Sequence, residues 1–362
     1  MPQVERVHTL VIGGGQAGLA TGYCLKQLRL DCRILDAAAR TGDSWRRRWD
    51  SLRLFTPAKF NSLPGAPFQR SDFYFPTKDE VADYLEKYVG QFDLPVHHGI
   101  AVDSVTKTNG TYLVDGSSQQ FYAENVVVAT GAYQNPIVPS FAQELDSSVV
   151  QLHSDNYKHP MQVPGGAALV VGAGNSGAEI AIELAAAGHR VWLAGRDVGS
   201  IPAETFGRVL GGRPYWLFLT RVLNVNTPIG RKVRKRSLHQ GTPLIRLNTR
   251  EVVNAGVTRC ARVQGVKDGL PLLEDGRVLE VTGVVWATGY RPNFSWIKLP
   301  ILGERGYPVH EGGVVPRAPG LYFVGLHFQT ALASALLGGV GNDARMVVEK
   351  IAAGKQTIAI DG

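Results

Sequence analysis

A chain of 362 residues, 44% of them apolar and 19% charged, has room for two ordinary globular domains; with no apolar run of about 18 uncharged residues it excludes a membrane-spanning class. Three cysteines (Cys24, Cys32 and Cys260) with no C-x-x-C pair exclude a disulfide framework and a dithiol relay, and no metal site is expected. The net charge of +7 comes without a nucleic-acid module, so an anionic cofactor is its expected counterpart.

The first 36 residues read as strand, turn, helix, strand. An apolar strand at 9–12 runs into Gly13, Gly14, Gly15, Gln16, Ala17 and Gly18, a G-x-G-x-x-G; a helical pattern over 17–28 and a second strand over 32–35 follow. Such glycines let backbone approach a pyrophosphate, and the helix start offers it free N–H groups. Asp36 stands 18 residues after Gly18, at the end of the second strand. A carboxylate there accepts hydrogen bonds from ribose hydroxyls and repels a 2′-phosphate, which suits FAD or NAD. No leader-like segment precedes the strand, so a cytoplasmic location is expected.

Residues 40–78 are irregular and rich in aromatics (Trp45, Trp49, Phe55, Phe60), a length and composition that usually packs over a ligand. The spacing of Val81, Tyr84, Leu85, Tyr88 and Val89 predicts a helix over 79–92. Short strands follow near 96–128, with hairpin turns at Asn109-Gly110 and Asp115-Gly116. Residues 132–166 read as a linker.

The opening pattern then repeats. A strand at 168–171 leads into Gly172, Ala173, Gly174, Asn175, Ser176 and Gly177, and the whole unit spans about 167–196. Each copy has a downstream echo. Ala129, Thr130 and Gly131 follow the first, and Ala287, Thr288 and Gly289 follow the second, at offsets of 116 and 115 residues from the first glycine. Two dinucleotide sites in one chain are expected. The second copy ends its second strand in Arg196, 19 residues after Gly177, and a cation there pairs with a 2′-phosphate, so NADPH is preferred over NADH.

Residues 200–250 form an insertion with an apolar stretch at 214–225 and a basic run at 231–236. A helix pair with a solvated basic face is the plain reading; a substrate-channel wall or a membrane-surface patch are the sharper ones. A strand over 321–324 and a helix over 331–353 close the chain.

The expected fold is α/β, two Rossmann-type dinucleotide-binding domains with the NADPH domain inserted in the FAD domain. The FAD domain comprises 1–155 and 290–362, the NADPH domain 156–289 with the insertion at 200–250. Such a chain most simply passes hydride from NADPH to flavin. With no cysteine pair, Fe–S ligands or metal cluster to take the electrons, molecular oxygen is the natural acceptor.

At this point the sequence resembles the flavin-containing monooxygenases over essentially its whole length, in particular the short bacterial forms similar to plant YUCCA-type enzymes. Gly42, Asp43, Ser44, Trp45 and Arg46 resemble the family's G-G-x-W segment beside the flavin, with Asp43 at the second glycine. Residues 287–292 resemble its A-T-G-Y-x-P element, and 319–325 the strand that brings backbone to the flavin ring. Of the fingerprint F-x-G-x-x-x-H-x-x-x-[WY], His153 and Tyr157 keep the second half, while Ser147 and Val149 stand at Phe and Gly. The asparagine many members carry near the flavin falls at Thr56. The resemblance implies insertion of one oxygen atom from O2 into a small organic substrate through a C4a-(hydro)peroxyflavin.

Motifs and resemblance together nominate Thr56 and His153 for catalysis. Gly13, Gly15, Gln16, Ala17, Gly18, Asp36, Trp45, Arg46, Thr130, Gly131, Gly325, Phe328 and Gln329 are nominated for FAD. Gly172, Gly174, Asn175, Ser176, Gly177, Arg196, Thr288 and Gly289 are nominated for NADPH. Two other readings stay open: a flavoprotein reductase or oxidase passing electrons to a protein or to O2 as peroxide, and a non-catalytic FAD/NADP-binding sensor. Expected partners are a small-molecule substrate and O2, with no nucleic acid and no stable membrane insertion. Oligomeric state is open, a homodimer included.

Overall fold

Two sheets carry the chain in the computed structural model, which describes residues 3–117, 119–201, 209–237, 243–303 and 306–360. The first grows from β1 (Gln3–Ile12), where Leu10, Val11 and Ile12 are all buried, as a parallel strand covered on both faces requires. Helix α1 (Gln16–Gln27) returns the chain to β2 (Cys32–Asp36). After the short α2 (Asp43–Arg46), helix α3 (Lys78–Phe92) starts on a capping box between Thr77 and Glu80. Strands β3 (Val96–His98), β4 (Val102–Thr108), β5 (Thr111–Gly116) and β6 (Gln119–Val128) complete the order β3-β2-β1-β6-β5-β4. The first half of β6 pairs antiparallel with β5, and 126–128 pair parallel with the late strand Leu321–Phe323.

The connection at Asn109-Gly110 has φ of 51° and 82°, the positive pair a two-residue type I′ turn demands. The expected turn at Asp115-Gly116 is instead the end of β5, paired with Gln119 and Gln120; the bend comes one residue later, at Ser117 with φ 51°.

The chain leaves the first sheet through β7 (Asn135–Pro136) and builds a second, parallel sheet. Its strands are β8 (Val150–His153), β9 (Ala167–Val171), β10 (Arg190–Ala194), β11 (Thr258–Cys260) and, after the hairpin β12 (Val263–Lys267) and β13 (Leu270–Leu273), β14 (Gly283–Trp286). The order is β11-β10-β9-β14-β8. Strand β8 lies inside the stretch read as a linker, and Ala142, Leu145 and Val149 join the core under this sheet. The inserted unit therefore begins before residue 150 and not at 156. Four residues alternating apolar and polar are too short a signal to separate from coil. The chain returns through β15 (Tyr290–Arg291), which pairs antiparallel with β7, so the two crossings form one ribbon.

Helix α4 (Asn175–Ala186) follows β9, and α7 (Thr249–Asn254) precedes β11. Between them α5 (Arg213–Leu217), a π-helical turn (Phe218–Val222) and α6 (Pro228–Ser237) make up the described insertion. Residues 202–208 and 238–242 of the insertion lie outside the described residues. It does not stay with the second sheet. Trp216 stacks on Phe60 at 4.9 Å, and Leu219 and Leu223 pack with Phe328 and Ala333 of the first unit. After β16 (Leu321–Phe323), the expected final helix divides. Leu332–Ala335 is a 3-10 turn, Gly338 and Gly339 squeeze past the carbonyls of Phe60 and Ala333, and α8 (Val340–Ile360) starts only then. No helix among the described residues is long and apolar enough to cross a membrane.

A Cβ on Gly18 would overlap the Gly13 carbonyl oxygen, and one on Gly177 the Gly172 oxygen, whereas one on Gly15 would meet nothing within 4 Å. Gly18→Ala and Gly177→Ala are each expected to lose about 1–3 kcal/mol of stability. Gly15→Ala should leave the denaturation midpoint of the flavin-free protein unchanged and lower its FAD content. Denaturant titration of the three variants checks the contrast.

Candidate functional site

The two glycine loops share one conformation. Gly13 and Gly172 have φ of 112° and 110°; Gly15 and Gly174 have φ/ψ of −80°/−172° and −79°/−173°. Each first glycine donates to the end of the neighbouring strand, Gly13 to Leu35 and Gly172 to Ala194, both at 2.8 Å. Each echo donates back, Ala129 to Ile12 and Ala287 to Val171, also at 2.8 Å. The first glycine is forced by this approach, because a Cβ on Gly13 would sit 2.6 Å from the Ala129 oxygen and one on Gly172 would overlap the Ala287 oxygen.

The cradles are open where a phosphate must enter. A Cβ built at 15, 131, 174 or 289 would meet nothing within 4 Å, although φ of 70° and 84° reserves 131 and 289 for glycine. Gly15 and Gly174 cap α1 and α4 without a side-chain acceptor, and neither helix has an acid in its first turn. The first-turn N–H groups of α1, and those of Ser176 and Gly177 in α4, therefore stay available to an anion, and the geometry fits a dinucleotide pyrophosphate at both places. Gln16, Ala17 and Gly18 lie in the first turn of α1, and Ser176 and Gly177 in that of α4. Asn175 differs from the glycines: its amide donates to Pro243 O (3.1 Å) and accepts from Ile245 N–H (3.0 Å), tying the insertion's exit to the helix start.

The strand ends carry opposite charges. Asp36 accepts from Ala38 N–H at 3.0 Å, and its carboxylate overhangs the first loop, 2.5 Å from where a Cβ on Gly14 would lie. Arg196 is exposed beyond β10, and Arg259 of β11 donates to Gly195 O at 2.9 Å, so a second guanidinium borders the same edge.

Several nominated residues are already engaged. The Arg46 guanidinium binds Thr41 O, Asp43, Asp83 and Glu86, which ties it to the carboxylates of α2 and α3. Gln329 is 1% exposed, donates to Gly312 O and Phe323 O and accepts from Leu326 N–H, so it holds the C-terminal loop together. Phe328 is fully buried among Leu219, Leu223 and Ala333. Both side chains are spent on packing within the protein. Gly325 stays close to the cradle, a Cβ there falling 2.8 Å from Ala17 Cβ. Trp45 donates to Gln16 Oε1 (3.2 Å), and Gln16 reaches Ala335 O (3.3 Å), joining three segments round the start of α1.

The two residues nominated for catalysis are buried. Thr56 donates to Asn61 Oδ1 at 2.5 Å, and Asn61 returns its amide to Thr56 O and Pro57 O. His153 uses both ring nitrogens: Nδ1 accepts from Asp155 N–H (3.1 Å), which leaves the proton on Nε2 to donate to Gly289 O (3.2 Å). Burial pushes its pKa down, so the ring is neutral. His153 therefore holds the second echo turn through both ring nitrogens.

The echo turns meet at the ribbon that joins the two units, where Ile137 N–H donates to Gly289 O at 2.9 Å. Thr130 Oγ1 and Gly131 O both accept from Gln134, whose own oxygen accepts from Asn293 N–H; Thr288 donates to Ile137 O. Tyr133 and Tyr290 follow the two turns and meet edge to face at 5.4 Å. Tyr133 is 69% exposed. Arg48 lies over both rings, donates to Asp155 (2.8 Å) and to the Tyr290 hydroxyl (2.9 Å), and so crosses from one unit to the other. Trp49, next to it, is buried in the core of the second unit. Arg48, Asp155, Gln134 and Tyr133 were not nominated from sequence. Only Tyr133 carried a signal, standing two residues past one A-T-G turn as Tyr290 stands one past the other.

A family model described as pyridine nucleotide-disulphide oxidoreductase matches residues 10–204. An uncharacterized CzcO-like oxidoreductase of Geobacillus kaustophilus is 40% identical over 95% of this chain and 98% of its own. A probable indole-3-pyruvate monooxygenase of the YUCCA type from Arabidopsis thaliana is 30% identical over 95% of this chain and 87% of its own. The solved flavin-containing monooxygenase of Stenotrophomonas maltophilia is 28% identical, with a TM-score of 0.73 over 96% of this chain and 99% of its own. The chain belongs to the flavin-containing monooxygenase family and is an oxidoreductase that uses FAD and NADPH.

Proposed function

We propose that this protein is an NADPH-dependent monooxygenase, working in the crevice between its two units on a small organic substrate. The observation that carries the reading is one cradle built twice with opposite strand-end charges, Asp36 at the first and Arg196 at the second. Bound FAD supplies the hydride-accepting and dioxygen-activating chemistry, with one oxygen atom passing to substrate and the other leaving as water.

The residues argue for what surrounds that chemistry. Gly13, Gly15, Gly18 and Asp36 hold the FAD end, with Thr130, Gly131 and Gly325 bringing further backbone to the same cradle. Gly172, Gly174, Ser176, Gly177 and Arg196 hold NADPH, with Thr288 and Gly289 at its turn. Trp45 and Gln16 tie the start of α1 at the FAD end, and Arg48 links the two units, which supports the fixed orientation a hydride step between separately bound cofactors requires. A relay through the chain's own thiols finds no support: burial pushes Cys24 and Cys32 up to about 11, and all three cysteines are free.

The holoprotein mixed with NADPH and O2 in the presence of thioethers, amines, ketones or 2-oxo acids should give oxygenated product in step with NADPH consumed for at least one class. The 2-oxo acids are included because the Arabidopsis relative is described as acting on indole-3-pyruvate. Peroxide matching NADPH with every class would identify an oxidase or reductase, and no flavin bleaching by NADPH would leave only a sensor. Arg196→Ala should raise KM for NADPH roughly 10- to 100-fold, the range of one or two charge-assisted hydrogen bonds. KM for NADH should hardly move, and steady-state assays with both cofactors decide it. Arg48→Ala should lower kcat/KM for NADPH about tenfold, on the scale of one hydrogen bond to a charged group, and raise the fraction of electrons lost as peroxide, read by a peroxide assay.

A further inference from the structure

The net positive charge of this chain comes from one segment of its sequence, in which Arg246 is already paired with Glu179 at 3.2 Å. Residues 205–250 contain ten Lys and Arg and no Asp or Glu, so all the other residues together carry −3 against a total of +7. The described part of this stretch turns an unusual face to water. Arg213, Pro214, Leu217, Phe218, Arg221 and Val222 are exposed, and their spacing puts them on one side of α5 and the π-helical turn. Leu217 and Phe218 are 48% and 44% exposed, with Leu210 at 78% and Ile229 at 57% beside them. The opposite side is the buried one, Leu219 and Leu223. Helix α6 adds Arg231, Lys232 and Lys235, all exposed.

Large aliphatics interleaved with cations, and no carboxylate among them, are the composition of an interfacial surface. We infer that the 209–235 face docks peripherally on an anionic lipid bilayer, its apolar side chains entering the headgroup boundary while Arg and Lys meet lipid phosphates. Charge complementarity selects this occupant. A second copy on the same face would set two strongly basic surfaces against each other. A nucleic acid would satisfy the cations but leave Leu210, Leu217, Phe218 and Ile229 in water. The inference goes beyond the proposed oxygenation. The buried side of the same segment stacks on Phe60 and packs on Phe328, three residues past Gly325 at the first cradle. A lipophilic substrate dissolved in the bilayer would then enter beside the crevice.

The test is co-sedimentation of the holoenzyme with vesicles of phosphatidylcholine alone and of phosphatidylcholine mixed with phosphatidylglycerol. Binding is expected to the mixed vesicles only, and to weaken as salt rises. Lys232→Gln with Lys235→Gln should lower the partition coefficient roughly 25-fold at low salt, about fivefold per cation. Leu217→Ser with Phe218→Ser should abolish binding at every salt. Both pairs should keep NADPH oxidation in solution unchanged, which shows they are folded. Absence of wild-type binding, equal binding to neutral vesicles, or variants that bind like wild type would each overturn the inference. So would a shift from dimer to monomer in Leu217→Ser/Phe218→Ser, which would assign the face to a second copy.

Discussion

A carbonyl oxygen pressed against a glycine decides where the rest of this protein goes. Ala129 meets Gly13 and Ala287 meets Gly172 at distances no Cβ tolerates, and each contact locks an A-T-G turn to a glycine loop at the carboxyl ends of adjacent parallel strands. The strand order reverses at that point in both sheets, with β2 and β10 on one side and the β6 and β14 connections on the other. Helix starts and turn backbones then converge on a space that side chains cannot fill. An anion is the natural occupant of such a space, because only there do several unpaired N–H groups point the same way. Duplication of the contact duplicates the cradle, and one residue per copy, Asp36 or Arg196, is enough to separate the two occupants.

Two cradles make an oxidoreductase only when they are held at a working angle. The covalent joint is slight, a ribbon of two residues on each strand, and pairing that short contributes little rigidity. Side chains from the irregular 40–78 stretch supply the rest. Trp49 enters the core of the second unit although its indole N–H finds no acceptor there, a cost of about 1–3 kcal/mol that burial of the ring has to outweigh. Beside it Arg48 reaches Asp155 and Tyr290, Asp50 N–H donates to Lys158 O, and Lys158 binds Arg47 O. His153, fixed on β8, holds the Gly289 turn from the other side. The angle between the units is thus set by a handful of contacts across an otherwise open crevice.

That division explains what could be read from the chain. The glycine loops, the echo turns and the strand-end charges are local: they act within a few residues and leave a pattern of fixed spacing. The joint is not local. Nothing about Arg48, one of three consecutive arginines, distinguishes it from Arg46 and Arg47. Only the fold brings it to Asp155, 107 residues away, and sends Arg46 to Asp83 and Glu86 instead. Strand β8 was illegible for a related reason, since four residues at a sheet edge owe their conformation to β14. The insertion was legible in composition but not in attachment. Its apolar stretch proved to be a two-sided segment whose inner side belongs to the first unit.

Three of the residues expected at the site share one property. Arg46, His153 and Gln329 have the chemistry a cofactor site uses, but their hydrogen-bonding capacity is spent inside the protein, and a group already satisfied gains nothing from a ligand. The glycine N–H groups at the starts of α1 and α4 have no side-chain cap, and among the described residues Arg196 makes no hydrogen bond or ion pair, so these groups have capacity left. Residue type and spacing identify where a site could be built; unspent polar capacity identifies which of its members face the ligand. By that measure this site is made mostly of backbone, with two charged side chains to choose between cofactors. A site so constituted places few demands on the surrounding sequence, which leaves the crevice walls and the basic insertion free to differ between relatives that share the same cradles.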